Sequence, residues 1–177
     1  MKTFFIPLLA VLLAAAVLLG MTFGLKGFAS ANAQREHLKM MQTLLPGSES
    51  FTLEPDTGDD EIIRSVHKGE TGFVIEVATQ GYVDEIVMLV GVSNDGKVKG
   101  LVVRDIHETY KLGNVALTDW VYLSQYLNTT GDAQVGENVD AITGATVTSK
   151  AITRCVNAAV AYVTGTDTDS GATSWGG

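Results

Sequence analysis

The strongest structural pattern in this chain is the stretch Glu85–Asp105, which reads EIVMLVGVSNDGKVKGLVVRD. Its first half, Glu85–Val92, is almost continuously apolar, and such a run is typical of a strand buried on both faces. Residues 94–96 then read Asn-Asp-Gly, and an Asp-Gly pair supplies the positive φ angles that a tight hairpin needs. The partner strand returns over Lys97–Asp105. Its apolar positions are Val98, Leu101, Val102 and Val103. The stretch therefore predicts an antiparallel β-hairpin.

Two more strands are predicted before the hairpin. One covers Glu61–His67, and the other covers Gly72–Thr79, where apolar residues recur with the two-residue period of a strand. The connecting segments are predicted to be a loop over Ser48–Asp60 and a short extended piece over Gln134–Ile142.

Three helices are predicted around these strands. The first covers Ser30–Leu45, has apolar residues at spacings of three and four, and stops at the Pro-Gly pair that follows. The second covers Leu117–Leu127 with Thr118 as its cap. Its apolar face consists of Trp120, Leu123 and Leu127. The third covers Ser149–Val163. Strands followed by helices, with a hairpin in the middle, predict an α+β domain with an antiparallel sheet and flanking helices.

An uncharged apolar run near the N-terminus predicts a transmembrane helix. The run Phe4–Leu25 has about the 20 residues needed to cross the hydrocarbon core, whereas the apolar region of a signal peptide has roughly 7–15. A cleaved signal peptide stays open as the alternative, because residues 29–31 and 31–33 read Ala-Ser-Ala and Ala-Asn-Ala. Basic residues flank both ends of the run, so the positive-inside rule leaves its orientation open.

Composition and charge argue against several classes of function. The 177-residue chain has a formal net charge of −8 and no basic cluster beyond residue 50, so we expect no nucleic-acid binding. The single cysteine, Cys155, cannot form an internal disulfide, and we expect it to be a small buried hydrophobic residue. The histidines and carboxylates fit no metal-ligand spacing, and one cysteine cannot hold an iron–sulfur cluster. An electron-transfer centre in this chain would therefore be an organic cofactor.

The chemistry of the chain is concentrated in residues 140–149, Asp-Ala-Ile-Thr-Gly-Ala-Thr-Val-Thr-Ser, which run directly into the last helix. Unpaired backbone N–H groups in the first turn of a helix, together with the positive end of its dipole, favour an anion such as phosphate. Gly144 lets the backbone approach a phosphate closely, and the hydroxyls of Thr143 and Thr146 can donate to its oxygens. The alternative is an ordinary capped helix after a tight turn, because Ser and Thr are common N-cap residues.

This segment resembles the D-x-x-[ST]-G-A-[ST]-x-[ST] signature of the FMN-binding domain in the G subunit of Rnf complexes and the C subunit of the sodium-pumping NADH:quinone reductase. The resemblance implies that Thr148 carries FMN through a phosphoester bond, which a flavin transferase forms by moving FMN from FAD. Asp140 is expected to orient the turn or to be read by the transferase. The residues that the resemblance places around the phosphate are Thr143, Gly144, Ala145 and Thr146.

A second segment is similar to the same family. Residues 107–113 read His-Glu-Thr-Tyr-Lys-Leu-Gly, where the family usually shows H-x-E-T-P-G-L-G or a close variant, with a tryptophan several residues on. Tyr110 and Lys111 replace the Pro-Gly pair that would fix a turn, and Tyr110 is a candidate aromatic partner for the flavin. The alternative is that His107 and Glu108 are surface residues of a connecting loop. The residues that the resemblance places against the isoalloxazine ring or ribityl chain are Glu108, Thr109 and Leu112.

The residue patterns and the resemblance together predict an organisation in four segments. These are a transmembrane anchor at residues 1–28, a juxtamembrane helix at 29–47, the FMN-binding domain at 48–165 and a flexible tail at 166–177. The resemblance implies a single-pass protein of the cytoplasmic (inner) membrane, with the N-terminus in the cytoplasm and the domain on the extracytoplasmic side.

The function implied by the resemblance is a redox subunit of an ion-translocating ferredoxin:NAD⁺ oxidoreductase of the Rnf type, with no catalytic site of its own. Its expected partners are the other membrane subunits, the membrane and, during maturation, the flavin transferase. The C subunit of the quinone reductase is the first alternative, and it is usually longer. The others are a non-redox, membrane-anchored extracytoplasmic binding domain whose threonine-rich turn is only structural, and a free-standing flavin enzyme.

Overall fold

The computed structural model describes residues 32–105 and 119–166. The chain divides by its internal contacts into two units, Met1–Lys39 and Met40–Gly177, and the folded domain lies in the second unit. The predicted anchor, the loop at 107–113 and residues 167–177 of the tail lie outside the described residues. None of the helices within the described ranges is long and apolar enough to cross a membrane.

The domain is built on a five-stranded antiparallel sheet in which each strand pairs with the next one along the chain. The strands are β1 (Thr52–Glu54), β2 (Ile63–Lys68), β3 (Gly72–Gln80), β4 (Glu85–Ser93) and β5 (Val98–Asp105). The two strands predicted before the hairpin are therefore confirmed. The predicted loop at Ser48–Asp60 is wrong at β1, whose three residues pair with β2. A strand of three residues is too short to show a period in its own sequence.

The predicted hairpin is present, and its first strand is buried on both faces as expected. Leu89 and Val90 in β4 point to opposite faces of the sheet, and both have 0% exposure. The turn differs from the expected Asp-Gly turn, because only Gly96 has a positive φ, at 76°. Its N–H donates to the Ser93 carbonyl at 2.8 Å, which makes a three-residue loop with glycine in the left-handed position.

Each face of the sheet is covered by a helix. Helix α1 covers residues 32–44, in agreement with the described part of the first helix prediction. Its end packs on one face in a small apolar cluster of Met41, Leu44, Leu45, Val74 and Leu89. The other face is covered by the last helix, which runs over Thr146–Thr164 and is labelled α3 below. Two opposed glycines, Gly91 in β4 and Gly100 in β5, let Leu44 lie directly on the sheet.

The predicted helix Leu117–Leu127 is instead a short helix α2 (Trp120–Leu123) followed by a 3₁₀ turn (Ser124–Tyr126). Asp119 caps α2, since its Oδ1 accepts from the N–H groups of Val121 at 2.9 Å and Tyr122 at 3.4 Å. The predicted cap, Thr118, lies outside the described residues. Of the predicted apolar face, Leu123 is buried and Leu127 packs against the core, but Trp120 is wrong because it is 61% exposed. The buried residues are Tyr122, Leu123 and Tyr126.

The two ends of α3 lie towards opposite ends of the sheet. At its C-terminal end, Tyr162 contacts Phe73 at the start of β3, and Thr164 lies beside Gly96 in the β4–β5 turn. The helix has 19 residues and is therefore about 28 Å long, close to the length of the central strands. Its N-terminal end consequently lies towards the end of the sheet where β5 finishes.

Candidate functional site

The threonine-rich turn lies at the N-terminus of α3, which begins at Thr146 rather than at the predicted Ser149. Gly144 has a φ of 80°, a left-handed conformation that L residues with a side chain adopt only under strain. The turn is closed by the Ala145 N–H, which donates to the Ile142 carbonyl at 2.9 Å. Ala145 is the N-cap residue, and its carbonyl accepts the first helical hydrogen bond from the Ser149 N–H at 2.9 Å.

No side chain within residues 32–105 and 119–166 caps this helix. Ala145 has no hydrogen-bonding group, and the first turn contains no acidic residue. The N–H groups of Thr146, Val147 and Thr148 precede the first helical hydrogen bond and so have no acceptor within the helix. The interpretation of these threonines as ordinary N-caps is therefore wrong. The helix end instead directs uncompensated donors and a positive dipole outward, an arrangement that fits a phosphate group.

The threonines of the turn differ sharply in exposure. Thr143 and Thr146 are exposed, whereas Thr148 is only 1% exposed. Its Oγ1 atom has no hydrogen-bond partner within the described part of the chain, and a buried hydroxyl left unpaired costs free energy. The hydroxyls that a phosphate donor can reach from solvent are those of Thr143 and Thr146.

The segment before the turn is held by side chains instead of by strand pairing. The extended piece predicted over Gln134–Ile142 is wrong: Val135 and Val139 form an isolated bridge around a tight turn. The Asp140 N–H donates to Oε1 of Gln125 at 2.9 Å. The Ile142 N–H donates to Oγ of Ser149 at 3.3 Å. These bonds satisfy backbone groups that have no partner in a sheet.

The same segment is held at its other end by Asn157. The amide of this residue accepts from the Ala133 N–H at 3.3 Å and donates to the Ala133 carbonyl at 2.9 Å. Asn157 lies on α3 two turns after Ser149, so the segment runs along the helix in the opposite direction from Asn157 towards Ser149. Side-chain hydrogen bonds therefore fix both ends of the segment that leads into the turn.

Between these two anchors lies a chain of buried hydroxyl groups. Tyr126 Oη is 2.8 Å from Tyr122 Oη and 2.8 Å from Thr153 Oγ1, and Thr153 donates to the Ser149 carbonyl at 3.0 Å. Burial raises the pKa of both tyrosines, so both hydroxyls stay protonated and can donate. The chain joins α2 and the 3₁₀ turn to the beginning of α3.

The prediction from sequence missed these anchoring residues. A signal for them is present, because Ser149, Thr153 and Asn157 follow one another at intervals of four on an otherwise apolar helix face. All three are buried. Polar residues at core positions of a helix need hydrogen-bond partners, and here the partners are backbone groups and Tyr126.

The remaining candidate residues fall into two groups. Glu108, Thr109 and Leu112, predicted to contact the ring, lie outside the described residues, as do His107 and Tyr110. Cys155 is fully buried in α3, and burial raises the pKa of its thiol to about 12, as expected for a small core residue. No group of three or more histidine, cysteine or acidic residues that could hold a metal occurs in the ranges that the structure describes.

Comparison with known proteins shows which proteins this domain is similar to. Residues 81–161 match the family model described as the FMN-binding domain. The chain is 36% identical over 99 residues to the G subunit of the proton-translocating ferredoxin:NAD⁺ oxidoreductase complex of Clostridium ljungdahlii, covering 52% of this chain and 53% of that protein. It is 36% identical over 104 residues to the G subunit of the ion-translocating oxidoreductase complex of Vibrio cholerae serotype O1, covering 52% and 50%.

These matches confirm the resemblance to Rnf-type G subunits, and each spans about half the length of the curated relative. Among solved structures, the crystal structure of Shewanella oneidensis NqrC aligns with 71% of this chain and 73% of that chain, at 19% sequence identity and a TM-score of 0.47.

Proposed function

We propose that this chain, which carries an FMN-binding domain over residues 81–161, is the electron-carrying G subunit of an ion-translocating ferredoxin:NAD⁺ oxidoreductase complex. The observation that carries the proposal is the uncapped N-terminus of α3 directly after the Thr-Gly-Ala-Thr turn. It supplies the donors that the phosphate of FMN requires, within the stretch that matches the FMN-binding family. The identity to G subunits across this stretch supports the choice of complex.

Within this proposal, the residues of the turn have distinct roles. Gly144 gives the backbone the left-handed conformation that aims the first N–H groups of α3 at the phosphate. The Thr143 hydroxyl donates to a phosphate oxygen, and the helix dipole offsets the remaining charge. The flavin, when bound, supplies the one-electron chemistry, and the protein supplies its position and surroundings. We expect no independent catalytic site.

We further propose that the FMN is joined to a threonine of the turn by a phosphoester. A flavin transferase would join the threonine oxygen to the FMN phosphorus of FAD, with AMP leaving and the hydroxyl proton released. The resemblance implies Thr148 as the attachment residue. Its Oγ1 is buried beside the phosphate-binding turn and has no hydrogen-bond partner within the described residues, which fits an oxygen whose partner is the attached phosphate. Thr146, exposed at the first position of α3, is the alternative attachment residue.

The proposed location follows from the relatives and from the N-terminal apolar run. The chain is proposed to be a single-pass subunit of the cytoplasmic membrane, with the FMN-binding domain on the extracytoplasmic side and the other complex subunits as partners. A covalent bond has a physical advantage outside the cytoplasm, where FMN that dissociated would be diluted and lost. No observation on the described residues favours the non-redox alternative.

The attachment is tested by producing the full chain together with a flavin transferase and viewing a denaturing gel under ultraviolet light. Only covalently bound flavin survives denaturation, so we expect the wild-type band to fluoresce. Valine has nearly the shape of threonine without the hydroxyl, which makes Thr146→Val and Thr148→Val a matched pair. We expect Thr148→Val to lose the fluorescence and Thr146→Val to keep it, and intact mass should show the corresponding loss or presence of FMN.

The other outcomes are equally informative. Loss of flavin from Thr146→Val alone would overturn attachment at Thr148 and place it at Thr146. A dark wild-type band would overturn covalent attachment. A wild-type chain that also fails to bind free FMN would overturn the proposed function as a whole.

A further inference from the structure

We propose that Gln125, Ser149 and Asn157 are positioning residues that build the phosphate-binding turn before any flavin is attached. This inference rests on the proposed function and adds to it the part of the chain that gives the turn its shape. None of the three side chains belongs to the turn itself. Each one binds a backbone group of the segment that leads into it.

The segment that leads into the turn has backbone groups that need hydrogen-bond partners. The segment 132–142 contains one isolated bridge and otherwise no regular secondary structure. Its residues Ala133 and Val139 are buried, so backbone groups near them cannot all turn to water. Asn157 pairs with both the N–H and the carbonyl of Ala133, as a neighbouring strand would do.

The two residues next to the turn are held by side chains from different elements. Asp140 and Ile142 are alternate residues, and their N–H groups bind Gln125 and Ser149, which lie on different elements. The Ile142 carbonyl then accepts from the Ala145 N–H and closes the turn. Fixing the N–H of Ile142 therefore fixes the peptide that orients Gly144 and the first donors of α3.

Tyr126 keeps these two elements together. Its hydroxyl joins the 3₁₀ turn that carries Gln125 to Thr153 on α3, one helical turn after Ser149. Gln125 and Ser149 thus approach the segment from two elements that are bonded to each other through buried hydroxyls. Donors fixed in this way need no ordering when the phosphate arrives, and such preorganisation strengthens binding.

Gln125 offers the sharpest test, because it is only half-buried and its replacement leaves the core intact. Gln125→Met has a similar size but no acceptor for the Asp140 N–H. Gln125→Glu keeps an acceptor oxygen at the same place and serves as the conservative variant. Thr164→Val is the matched control, because it deletes a hydroxyl that binds the Val160 carbonyl at the far end of the same helix.

Two measurements on the full chain test the inference. In the flavin-free protein, hydrogen exchange at the Asp140 and Ile142 amides should accelerate about fivefold in Gln125→Met, with the amides of β4 unchanged. The initial rate of flavin attachment by the transferase, at fixed FAD, should fall by about the same factor, since one hydrogen bond contributes about 1 kcal/mol. Gln125→Glu should recover most of both losses, and Thr164→Val should show neither.

The outcomes separate this inference from the proposed function. A wild-type chain that takes up no flavin overturns the proposed function and this inference with it. A wild-type chain that is flavinylated normally, together with a Gln125→Met variant that exchanges and reacts at the wild-type rate, overturns the inference alone. Ser149→Ala provides a second variant, and unchanged exchange at the Ile142 amide there would also contradict it.

Discussion

At the residue scale, the site depends on the left-handed backbone of Gly144 and on an N-cap residue, Ala145, whose side chain cannot form a hydrogen bond. Gly144 adopts a φ of 80°, and Ala145 occupies the N-cap position where Ser, Thr, Asp or Asn would normally satisfy the helix donors. The three threonines that suggested capping leave those donors free. Their positions also separate reachable hydroxyls at Thr143 and Thr146 from a covered one at Thr148.

We expect Gly144→Ala to lower the free energy of unfolding by about 1–2 kcal/mol, because a Cβ strains the left-handed conformation. The same replacement should reduce flavin attachment, since the turn relieves its strain by moving the first donors of α3. Gly136→Ala is the control: Gly136 has a φ of 89°, and no atom lies within 4 Å of an added Cβ. It should cost similar stability in urea unfolding and leave attachment unchanged. Equal attachment in both variants would contradict the role of Gly144.

At the element scale, the two helices that follow the sheet differ in how their N-termini are capped. Helix α2 has four residues and is capped by Asp119, whereas α3 has 19 residues and no capping side chain from the described part of the chain. A short helix has few internal hydrogen bonds and needs its cap, because helix initiation is unfavourable. A long helix buried along one face can leave its first donors open. The N–H groups proposed to bind phosphate therefore lie on α3, the helix that is better able to remain stable without a capping side chain.

Asp119→Ala should destabilise the domain by about 1 kcal/mol, the usual cost of losing an N-cap side chain. Asn is nearly as good as Asp at this position, so Asp119→Asn should stay within a few tenths of a kcal/mol of the wild type. Chemical denaturation measures both, and amide exchange at Val121 should accelerate only in the alanine variant. Equal stabilities for the two variants would show that the cap of α2 contributes nothing.

At the scale of the whole domain, one sheet is packed between the end of α1 and the length of α3. The packing on the α1 side requires the absence of two side chains, because a Cβ at Gly91 would lie 2.3 Å from the Leu44 carbonyl oxygen. The corresponding closest approach at Gly100 is 3.0 Å, to Leu44 Cα and its carbonyl oxygen. The β4–β5 pair therefore forms the core hairpin and is also the surface on which residues Met41–Leu45 pack.

Gly91→Ala should destabilise the domain by about 1–3 kcal/mol or more, because close-packed cores tolerate added atoms poorly. Gly100→Ala has more room and should cost less. Thermal unfolding of the full chain ranks the two variants, and the reverse order would contradict the close contact with Leu44. Neither glycine belongs to the phosphate-binding turn, so flavin attachment at low temperature should be retained in both.

The sequence by itself determined the hairpin, the antiparallel α+β class, the last helix and the location of the threonine-rich turn. Each of these depends on local signals: apolar periodicity, turn residues or a short motif. The structure alone decided that β1 pairs with β2, that α2 ends in a 3₁₀ turn, and that Thr148 is buried while Thr146 is exposed. It also decided which side chains hold the segment 132–142. The physical reason is that burial and hydrogen-bond partners depend on residues such as Gln125 and Asp140, which are distant in sequence and meet only after folding.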